Sequence, residues 1–291
     1  MITKPMLAGT VKDMAKIQYP VLCTPKLDGI RCLKIDGKAV SRNFKKIPNT
    51  YIRSWIEEFF PDGVDGELIA EGGTFQETTS AVMREDGARK VVFYYVFDYV
   101  KNDVKRTYSE RMEDLADHLE GVPKEMCKRV LPTTIKNETE LLAFEKKCLA
   151  DGYEGVMLRR PDGPYKEGRS TVREGYLLKL KRFVDSEAVI VGFEERLHNE
   201  NVATKDAFGR TERSSHKANM TPTGMLGAFV VKEGKMSFKI GSGFTEKQRI
   251  EIWNNRDKYL GQLAKYKSQK QGSKDAPRFP IFLGVRNKND C

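Results

Sequence analysis

Hydrophobic and polar residues alternate in short runs along the first 183 positions, between stretches of helical periodicity. Asp36-Gly37 lies between β-prone flanks and predicts a hairpin over residues 32–40, because glycine tolerates the positive φ of a tight turn. Further strands are predicted at residues 64–70, 91–97, 153–159 and 176–181. This part of the chain therefore mixes strands with helices, and it contains no internal repeat.

Two helices are predicted where apolar residues recur on one helical face. Ser109 is the predicted N-cap of the first helix, and Asp151-Gly152 is predicted to end the second. The apolar faces consist of Met112, Leu115, Ala116 and Leu119 in the first helix, and of Leu141, Phe144, Cys148 and Leu149 in the second.

After about residue 183 the pattern changes to short strands, which are predicted at residues 188–193, 226–232, 235–240 and 281–286. One helix interrupts them, with a capping box of Thr245 and Gln248 and with Ile250 and Trp253 facing inward. A few short strands with one helix predict a small Greek-key barrel such as an OB fold. The whole pattern predicts an α+β protein of two domains, residues 1–183 and residues 184–291.

Residues 199–224 have neither strand nor helix periodicity and are rich in Thr, Ser, Asn and Gly. A loop of this length inside a compact domain is usually functional or disordered, so a mobile solvated loop and a binding loop both fit. Four cations are spread along it: Lys205, Arg210, Arg213 and Lys217.

Composition and charge narrow the class of protein. Of 291 residues, 39% are hydrophobic and 32% are charged, which excludes a disordered acidic chain, a collagen and a low-complexity polymer. The net charge of +10 favours a polyphosphate partner, although ribosomal, membrane-surface and metabolic proteins are also often basic.

No feature of the sequence predicts a membrane protein or a secreted one. The longest apolar run, residues 91–97, is far shorter than the roughly 20 residues of a spanning helix, and residues 1–5 do not open a signal peptide. The five cysteines are scattered and never spaced Cys-x-x-Cys, which argues against a disulfide framework and a zinc site. We therefore expect a cytoplasmic protein in a reducing compartment.

Lys26, in the segment TPKLDGIR at residues 24–31, is a candidate nucleophile. At an ordinary lysine pKa of about 10.4, only about one amine in two thousand is neutral at pH 7, so a reactive lysine needs neighbouring positive charge. Arg31, Lys179, Lys181 and a bound metal ion are the candidates for that charge. Taken alone, Lys-x-Asp-Gly also fits an ordinary surface turn.

Other segments offer carboxylates, a ring and further cations. Glu67, within Asp65-Gly66-Glu67, and Glu154, at the start of a strand, suit a sugar hydroxyl or a hard cation such as Mg²⁺. Phe97 is expected at the end of an apolar strand. Two interpretations fit this position: the ring stacks on a base, or it belongs to the core. Lys179 and Lys181 share one strand face, which suits a phosphate or an exposed strand surface equally well.

These segments occur in a fixed order, which closes with RFPIFLGVR at residues 278–286. The series resembles the six nucleotidyltransferase motifs of ATP-dependent DNA ligases across essentially the whole chain, and is most similar to the minimal ligases of DNA viruses and phages. Further similarity outside the motifs lies at residues 2–5, 74–76, 78–83, 168–171 and 272–275.

The resemblance implies an adenylyltransferase domain of antiparallel sheets with flanking helices, residues 1–183, followed by an OB-fold β-barrel, residues 184–291. It implies that ATP is the cofactor, that Mg²⁺ or Mn²⁺ is required, and that Lys26 becomes linked to AMP. The residues implied to bind the nucleotide are Thr24, Arg31, Glu67, Phe97 and Arg286, with Lys179 and Lys181 at the α-phosphate and Glu67 and Glu154 at the metal.

The implied partner is nicked duplex DNA, bound by a monomeric enzyme that acts in the host cytoplasm or at a viral replication site. By the resemblance, Arg42 and Arg169 contact the 5′-phosphate of the nick. Residues 199–224 match a latch that closes around DNA, and their four cations are implied DNA contacts. One departure is that Asn287 follows Arg286 where the family commonly has an acid, which leaves the role of Asp290 open.

Four other classes share parts of this pattern. An mRNA capping guanylyltransferase usually has Asp where this chain has Glu154, and an RNA-end-joining ligase typically has Ser where it has Ile30. An NAD-dependent ligase needs an extra N-terminal domain and a four-cysteine zinc module. A non-enzymatic OB-type binder of DNA ends would bind DNA in a salt-dependent manner without any covalent nucleotide.

Overall fold

The computed structural model describes residues 2–87, 91–101, 103–269 and 276–286. The chain divides into two compact units, Met1–Lys181 with Lys205–Arg210, and Arg182–Thr204 with Thr211–Cys291. Across the described ranges, no helix combines the length and the apolar character that crossing a membrane requires. Four of the cysteines lie in these ranges, and all four are free thiols.

Among its described residues, the first unit contains twelve strands and four α-helices. Its strands are β1 (Met6–Leu7), β2 (Gly9–Thr10), β3 (Val21–Pro25), β4 (Ile30–Ile35), β5 (Lys38–Ser41), β6 (Val64–Ala70), β7 (Val92–Tyr99), β8 (Cys127–Arg129), β9 (Thr133–Ile135), β10 (Val156–Arg159), β11 (Gly168–Arg169) and β12 (Leu178–Leu180). Its helices are α1 (Thr50–Phe59), α2 (Phe75–Met83), α3 (Tyr108–His118) and α4 (Glu138–Ala150).

Two five-stranded sheets organise this unit. Sheet A has the order β5-β4-β6-β7-β8, and sheet B has the order β2-β12-β10-β3-β9. Most neighbouring strands are antiparallel, whereas β8 runs parallel to β7 and β2 runs parallel to β12. Helices α1, α2 and α3 bury Ile52, Val82 and Leu115 in the core of sheet A, and α4 buries Leu141 and Cys148 in the core of sheet B.

Several elements of the first unit match the sequence prediction. Asp36 and Gly37 have φ values of 50° and 70°, which confirms the tight turn between β4 and β5. Strand β6 has the predicted limits, and α4 ends at Asp151, ahead of Gly152 with φ +90°.

The predicted N-cap of α3 is wrong by two residues, and two helices were missed. Thr107, not Ser109, caps α3, because the Thr107 hydroxyl accepts from the Glu110 N–H while the Glu110 carboxylate accepts from the Thr107 N–H. This reciprocal pair satisfies two backbone donors and outcompetes a single serine. Helix α2 begins with the same device, Thr74 and Glu77, whereas α1 is capped by Asn49.

The second unit is built on one curved antiparallel sheet with the order β17-β16-β13-β18-β19. The Ser242 carbonyl accepts a hydrogen bond of 2.9 Å from the N–H of Phe282, so a single bridge joins the two ends of the sheet in place of a full ladder. Its elements are β13 (Val184–Asn199), β14 (Ala203–Lys205), β15 (Thr211–Arg213), β16 (Met220–Glu233), β17 (Met236–Ile240), α5 (Glu246–Asn254), α6 (Arg256–Tyr259), β18 (Leu263–Gln269) and β19 (Arg278–Arg286).

Two expectations for this part of the chain need correction. Residues 199–224 were expected to lack strands, but β13 and β16 run into this stretch and β14 pairs with β15. Most of its side chains are exposed, so ladder hydrogen bonds stabilise the strands and no apolar alternation marks them. On α5 Trp253 packs against the core as expected, but Ile250 is exposed and Ile252 is buried in its place. Arg249 shares the inner face and donates to two carbonyls of β16.

Candidate active site

A cavity of about 240 Å³ opens between sheets A and B of the first unit. Thr24, Met157 and Lys179 line it from sheet B, and Arg31, Glu67 and Phe97 line it from sheet A. The remaining lining residues are Leu7, Ala8, Pro25, Lys26, Leu27, Arg42, Arg159, Arg169 and Leu177. The structure thus brings seven of the predicted nucleotide and phosphate contacts, together with Lys26, to one cavity.

Lys26 follows β3 directly, and its position is fixed by the pairing of β3 with β10. The Lys26 N–H donates to the Gly155 carbonyl at 2.9 Å, and the Glu154 N–H donates back to the Lys26 carbonyl at 3.4 Å. Gly155 has φ +145° and approaches the Leu180 carbonyl so closely that a Cβ would collide with it. This register places the Lys26 side chain against Glu154, to which its Nζ donates a hydrogen bond.

Glu154 links Lys26, which lines the cavity, to Lys181; neither Glu154 nor Lys181 is itself a lining residue. Its Oε2 accepts from Lys26, its Oε1 accepts from Lys181 Nζ at 2.6 Å, and only 5% of its side chain is exposed. Burial raises the pKa of Glu154, but Lys26 and Lys181 together lower the pKa below its ordinary value. The carboxylate is therefore charged at neutral pH.

A row of side chains crosses sheet B in register. Met157 on β10 is paired with Thr24 on β3 and with Lys179 on β12, so the three side chains lie on the same face. Burial lowers the pKa of Lys179, and the positive charges of Lys26 and Arg169 lower it further. Such a concentration of cations favours an anionic group in the cavity.

Sheet A supplies a buried ion pair and a carboxyl group. Arg31 donates to both carboxylate oxygens of Asp65, and Arg31 is the cross-strand partner of Glu67. Glu67 accepts a hydrogen bond from the Gly29 N–H at 3.3 Å. Burial raises the pKa of Glu67 to about 7, although Arg31 and Lys26 oppose this shift.

Phe97 presents its ring to the cavity beside two guanidinium groups. The Arg31 guanidinium carbon lies 5.1 Å from the ring centroid, and that of Arg159 lies 5.6 Å from it. Strand β7 continues to Tyr99, so Phe97 lies within the strand and not at its end as expected. Strand pairing, not a strand terminus, brings the ring to the site.

A buried charge network holds Arg159 behind this ring. Asp98 accepts from Arg159 Nη1 at 2.6 Å and from Arg111 Nε at 2.8 Å, and all three side chains are buried. Burial raises the pKa of Asp98, but the two guanidinium groups lower the pKa below its ordinary value. Sequence reasoning missed Met157 and Arg159, although their two-residue spacing on β10 would have placed both on the cavity face.

Arg42 and Arg169 also line this cavity. Arg42 is an exposed residue in the turn that follows β5. Arg169 belongs to the short strand β11, and its Nη1 donates to the Ala8 carbonyl at 2.7 Å. Both guanidinium groups are therefore available to an anion that enters from the solvent side.

The remaining predicted site residues are distributed over both units. Lys205 and Arg210 belong to the first unit, where Arg210 pairs with Asp206 at 2.7 Å. In the second unit, Arg286 at the end of β19 is 53% exposed and lies 3.2 Å from Glu187, Arg213 donates to the Asn201 carbonyl, and Lys217 is exposed. Residues 272–275 and 287–290, which include Asp290, lie outside the described residues.

Two carboxyl groups at the site, Glu67 and Glu154, fit a hard cation. The described ranges contain no cluster of three or more His, Cys, Asp or Glu that could by itself hold a metal ion. Mg²⁺ commonly uses one or two protein carboxylates and completes its shell with water and phosphate oxygens. Glu154, which is almost fully buried and charged, is suited to such a site.

Comparisons with known proteins match both parts of the chain. A family model described as ATP dependent DNA ligase domain matches residues 5–181, and one described as DNA ligase OB-like domain matches residues 219–286. The chain is similar to a DNA ligase of Haemophilus influenzae, with 27% identity over 88% of this chain and 83% of the relative.

Solved structures match over nearly the whole chain. The adenylate form of Chlorella virus DNA ligase is 38% identical, covers 98% of this chain and 100% of its own, and has a TM-score of 0.59. A structure of a Lig E DNA ligase, described as DNA binding with a minimal scaffold, is 26% identical over 98% of this chain and 100% of its own, with a TM-score of 0.70.

Proposed function

The chain belongs to the family of ATP-dependent DNA ligases, and from that premise we propose that Lys26 is the residue that carries AMP during nick sealing. The protein is a polynucleotide ligase that uses ATP. The observation that carries the assignment of Lys26 is its position: it is the lysine that lines the cavity and pairs with the buried Glu154.

In the first step, the lone pair of Lys26 Nζ forms a bond to the α-phosphorus of ATP. The bond between that phosphorus and the oxygen bridging to the β-phosphate breaks, and pyrophosphate leaves with the electron pair while the amine loses its proton. Lys179 and Lys181 lie close enough to Lys26 and Glu154 to offset the charge that builds on the phosphoryl oxygens.

In the second step, an oxygen of the 5′-phosphate at the nick bonds to the phosphorus of AMP. The P–N bond to Lys26 breaks, and its electron pair returns to Nζ, which takes up a proton. In the third step the 3′-hydroxyl oxygen bonds to the phosphorus of the 5′-phosphate and loses its proton. The bond between that phosphorus and the oxygen bridging to AMP breaks, and AMP leaves with the electron pair.

The other cavity residues bind and orient the nucleotide. We assign the adenine ring to Phe97 and the ribose to Arg31 and Glu67. Thr24, which lines the cavity from sheet B, is assigned a contact to the nucleotide. Arg286 is assigned to the pyrophosphate end of ATP. Mg²⁺ or Mn²⁺, held by Glu154 with Glu67, would act as a Lewis acid that neutralises phosphate charge.

Nicked duplex DNA is the proposed substrate of the monomeric enzyme, with Arg42 and Arg169 at the 5′-phosphate of the nick. Their position on the cavity that holds Lys26 supports this assignment, because the phosphate must reach the lysyl-linked AMP. Lys205, Arg210, Arg213 and Lys217 are proposed contacts to the DNA backbone, since they are exposed cations. The free thiols support a reducing compartment, which we propose is the cytoplasm or a viral replication site.

The test of this function is nick sealing with isolated steps. Incubation with Mg²⁺ and α-labelled ATP should transfer label to the denatured chain and then to a nicked duplex, whereas Lys26→Ala should transfer none. Label from GTP would indicate a capping enzyme, label from NAD would indicate a different ligase class, and DNA binding without label would indicate a non-enzymatic binder.

A second experiment concerns residues 199–224. Deletion of residues 203–220 should leave the attachment of AMP to Lys26 intact and weaken binding to nicked DNA, because the deleted stretch carries four exposed cations and contributes no residue to the cavity that holds Lys26. Equal nick affinity in the deletion variant would refute a DNA-binding role for this segment.

A further inference from the structure

Phe208 is the buried side chain of the otherwise exposed or half-buried β14–β15 hairpin. Between residues 202 and 213 the side chains are exposed or half-buried, except that Phe208 is only 5% exposed. Phe208 joins the apolar cluster of sheet A that includes Ala39 and Ile47. The tip segment Lys205–Arg210 accordingly belongs to the first unit, and Phe208 is its anchor there.

The tip segment has a defined turn that presents Phe208. Asp206 Oδ1 accepts from the N–H of Phe208 at 3.0 Å and from the N–H of Arg210 at 2.7 Å, and Oδ2 accepts from Arg210 Nε at 2.7 Å. Gly209 has φ +71°, a conformation that favours glycine. The tip segment is therefore a preformed turn and not a random stretch of loop.

The seated tip segment contacts the turn that carries Arg42. Asn43, the next residue after Arg42, donates from Nδ2 to the Phe208 carbonyl at 3.0 Å. The Arg42 turn, residues 41–45, is closed by a hydrogen bond of 2.7 Å from the Ser41 N–H to the Lys45 carbonyl. Phe44 within it has φ +55°, a conformation that a residue with a side chain keeps only where its surroundings hold it.

A second cavity of about 240 Å³ lies where the tip segment meets this turn. Phe208 and Arg210 line it from the tip segment, and Arg31, Arg42 and Glu67 line both this cavity and the one that contains Lys26. The tip segment thus lines a cavity that shares three lining residues with the proposed nucleotide site.

We propose that Asn43 and Phe208 are positioning residues that couple the seating of the tip segment to the orientation of Arg42. The inference rests on the proposed role of Arg42 at the 5′-phosphate of the nick. Arg42 is exposed and long, and its orientation depends on a turn with an unfavourable backbone conformation. Contact with the tip segment fixes that turn, so the 5′-phosphate is aligned with the AMP on Lys26 only when the tip segment is seated.

The experiment separates DNA binding from AMP transfer. Full-length protein loaded with AMP is mixed with a nicked duplex under single-turnover conditions, and the transfer rate is measured as the DNA concentration rises to saturation. For Asn43→Ala and for Phe208→Ala we expect the transfer rate at saturating DNA to fall roughly three- to tenfold, the equivalent of one lost hydrogen bond or contact. The formation of lysyl-AMP should be unchanged.

Two further variants sharpen the test. The double variant should lose little more than the larger single loss, because the hydrogen bond from Asn43 and the packing of the Phe208 ring both serve to seat the same tip segment. Phe208→Leu, which keeps an apolar anchor, should restore most of the rate. Asn255→Ala is the matched control, since it also removes an amide that donates to a backbone carbonyl, that of Glu251 at 2.9 Å, and lines neither cavity.

The possible results distinguish the inference from the function on which it rests. If the two variants weaken only the affinity for nicked DNA and transfer AMP at the normal rate at saturation, the coupling is refuted and the tip segment is a DNA contact. If Arg42→Ala itself transfers AMP normally, the assignment of Arg42 fails. If the wild-type protein never forms lysyl-AMP, the proposed function fails and the inference fails with it.

Discussion

Lys26 and Glu154 form an ion pair in which Nζ of the lysine donates to Oε2 of the glutamate. The two residues are 128 positions apart and meet because β3 pairs with β10. Attack on a phosphate requires the lone pair on Nζ, so the amine must lose its proton and turn from Glu154 towards the nucleotide. Glu154 therefore holds the lysine in a resting position.

Removing the charge of Glu154 is expected to slow the attachment of AMP. Glu154→Gln keeps the size of the side chain but removes a ligand suited to the metal and the partner of two lysines. We expect the rate of lysyl-AMP formation to fall about 10²-fold, the scale of one lost electrostatic group at a reacting centre. Quenched-flow measurement with labelled ATP tests this.

Glu174→Gln is the matched control for that experiment. Glu174 also pairs with a lysine, Lys166 at 2.6 Å, but Lys166, unlike Lys26, does not line the cavity. A rate in Glu154→Gln equal to that of this control would contradict the role given to Glu154.

Glu67 is expected to make the stability of the free protein depend on pH. Its pKa of about 7 in the folded chain lies above the ordinary value of 4.5, so its stabilising contribution is present below pH 4.5 and is lost as the pH rises through 7. Glu67→Gln removes the titrating group, so the variant does not lose this contribution as the pH rises. The difference in free energy of unfolding, variant minus wild type, should therefore increase by about 2 kcal/mol between pH 5 and pH 8. Urea unfolding at the two pH values measures this, and a constant difference would contradict it.

Asp98 is expected to be essential for the stability of the first unit. Asp98→Ala would leave Arg111 and Arg159 buried without their carboxylate, which costs about 3–5 kcal/mol for a broken buried pair. Asp162→Ala removes the carboxylate of a more exposed pair with Arg160 and should cost less than about 1 kcal/mol. Denaturant unfolding of both variants gives the comparison, and equal losses would refute the importance of the network.

Arg42 and Arg169 are expected to contribute to DNA binding through phosphate. Arg42→Ala and Arg169→Ala should each weaken nick affinity and reduce the slope of log K against log salt by about 1, with lysyl-AMP formation unchanged. Arg173→Ala, an exposed arginine that lines none of the described cavities, is the control. Titration of fluorescent nicked duplex at several salt concentrations measures the slope, and slopes equal to the control would contradict the assignment.

The sequence predicted elements whose signal is local. Asp36-Gly37 specifies its turn through backbone freedom at two adjacent residues, and Thr245 with Gln248 specifies the start of α5 through a capping box that the structure confirms. The capping box of α3 had the same kind of signal in Thr107 and Glu110 and was overlooked in favour of Ser109. The outer part of the β13–β16 ribbon, residues 194–199 and 220–225, had no such signal, because its side chains are exposed or half-buried and show no apolar alternation.

The sequence also indicated most cavity residues, but not how they contact one another. Lys26, Glu67 and Phe97 were identified one by one through a motif order, and the structure places all three on one cavity. The pairing of Lys26 with Glu154 and the sharing of Asp98 by two arginines depend on strand register between distant segments, which local pattern does not encode. The burial of Phe208 was missed for the same reason.

The most direct test of AMP transfer through Lys26 is the intact mass of the protein after exposure to ATP and Mg²⁺. We expect an increase of about 329 Da, the mass of one AMP bonded with loss of water, located on the peptide that contains Lys26 and absent from Lys26→Ala. An adduct on a different residue, or no adduct in protein that still seals nicks, would contradict it.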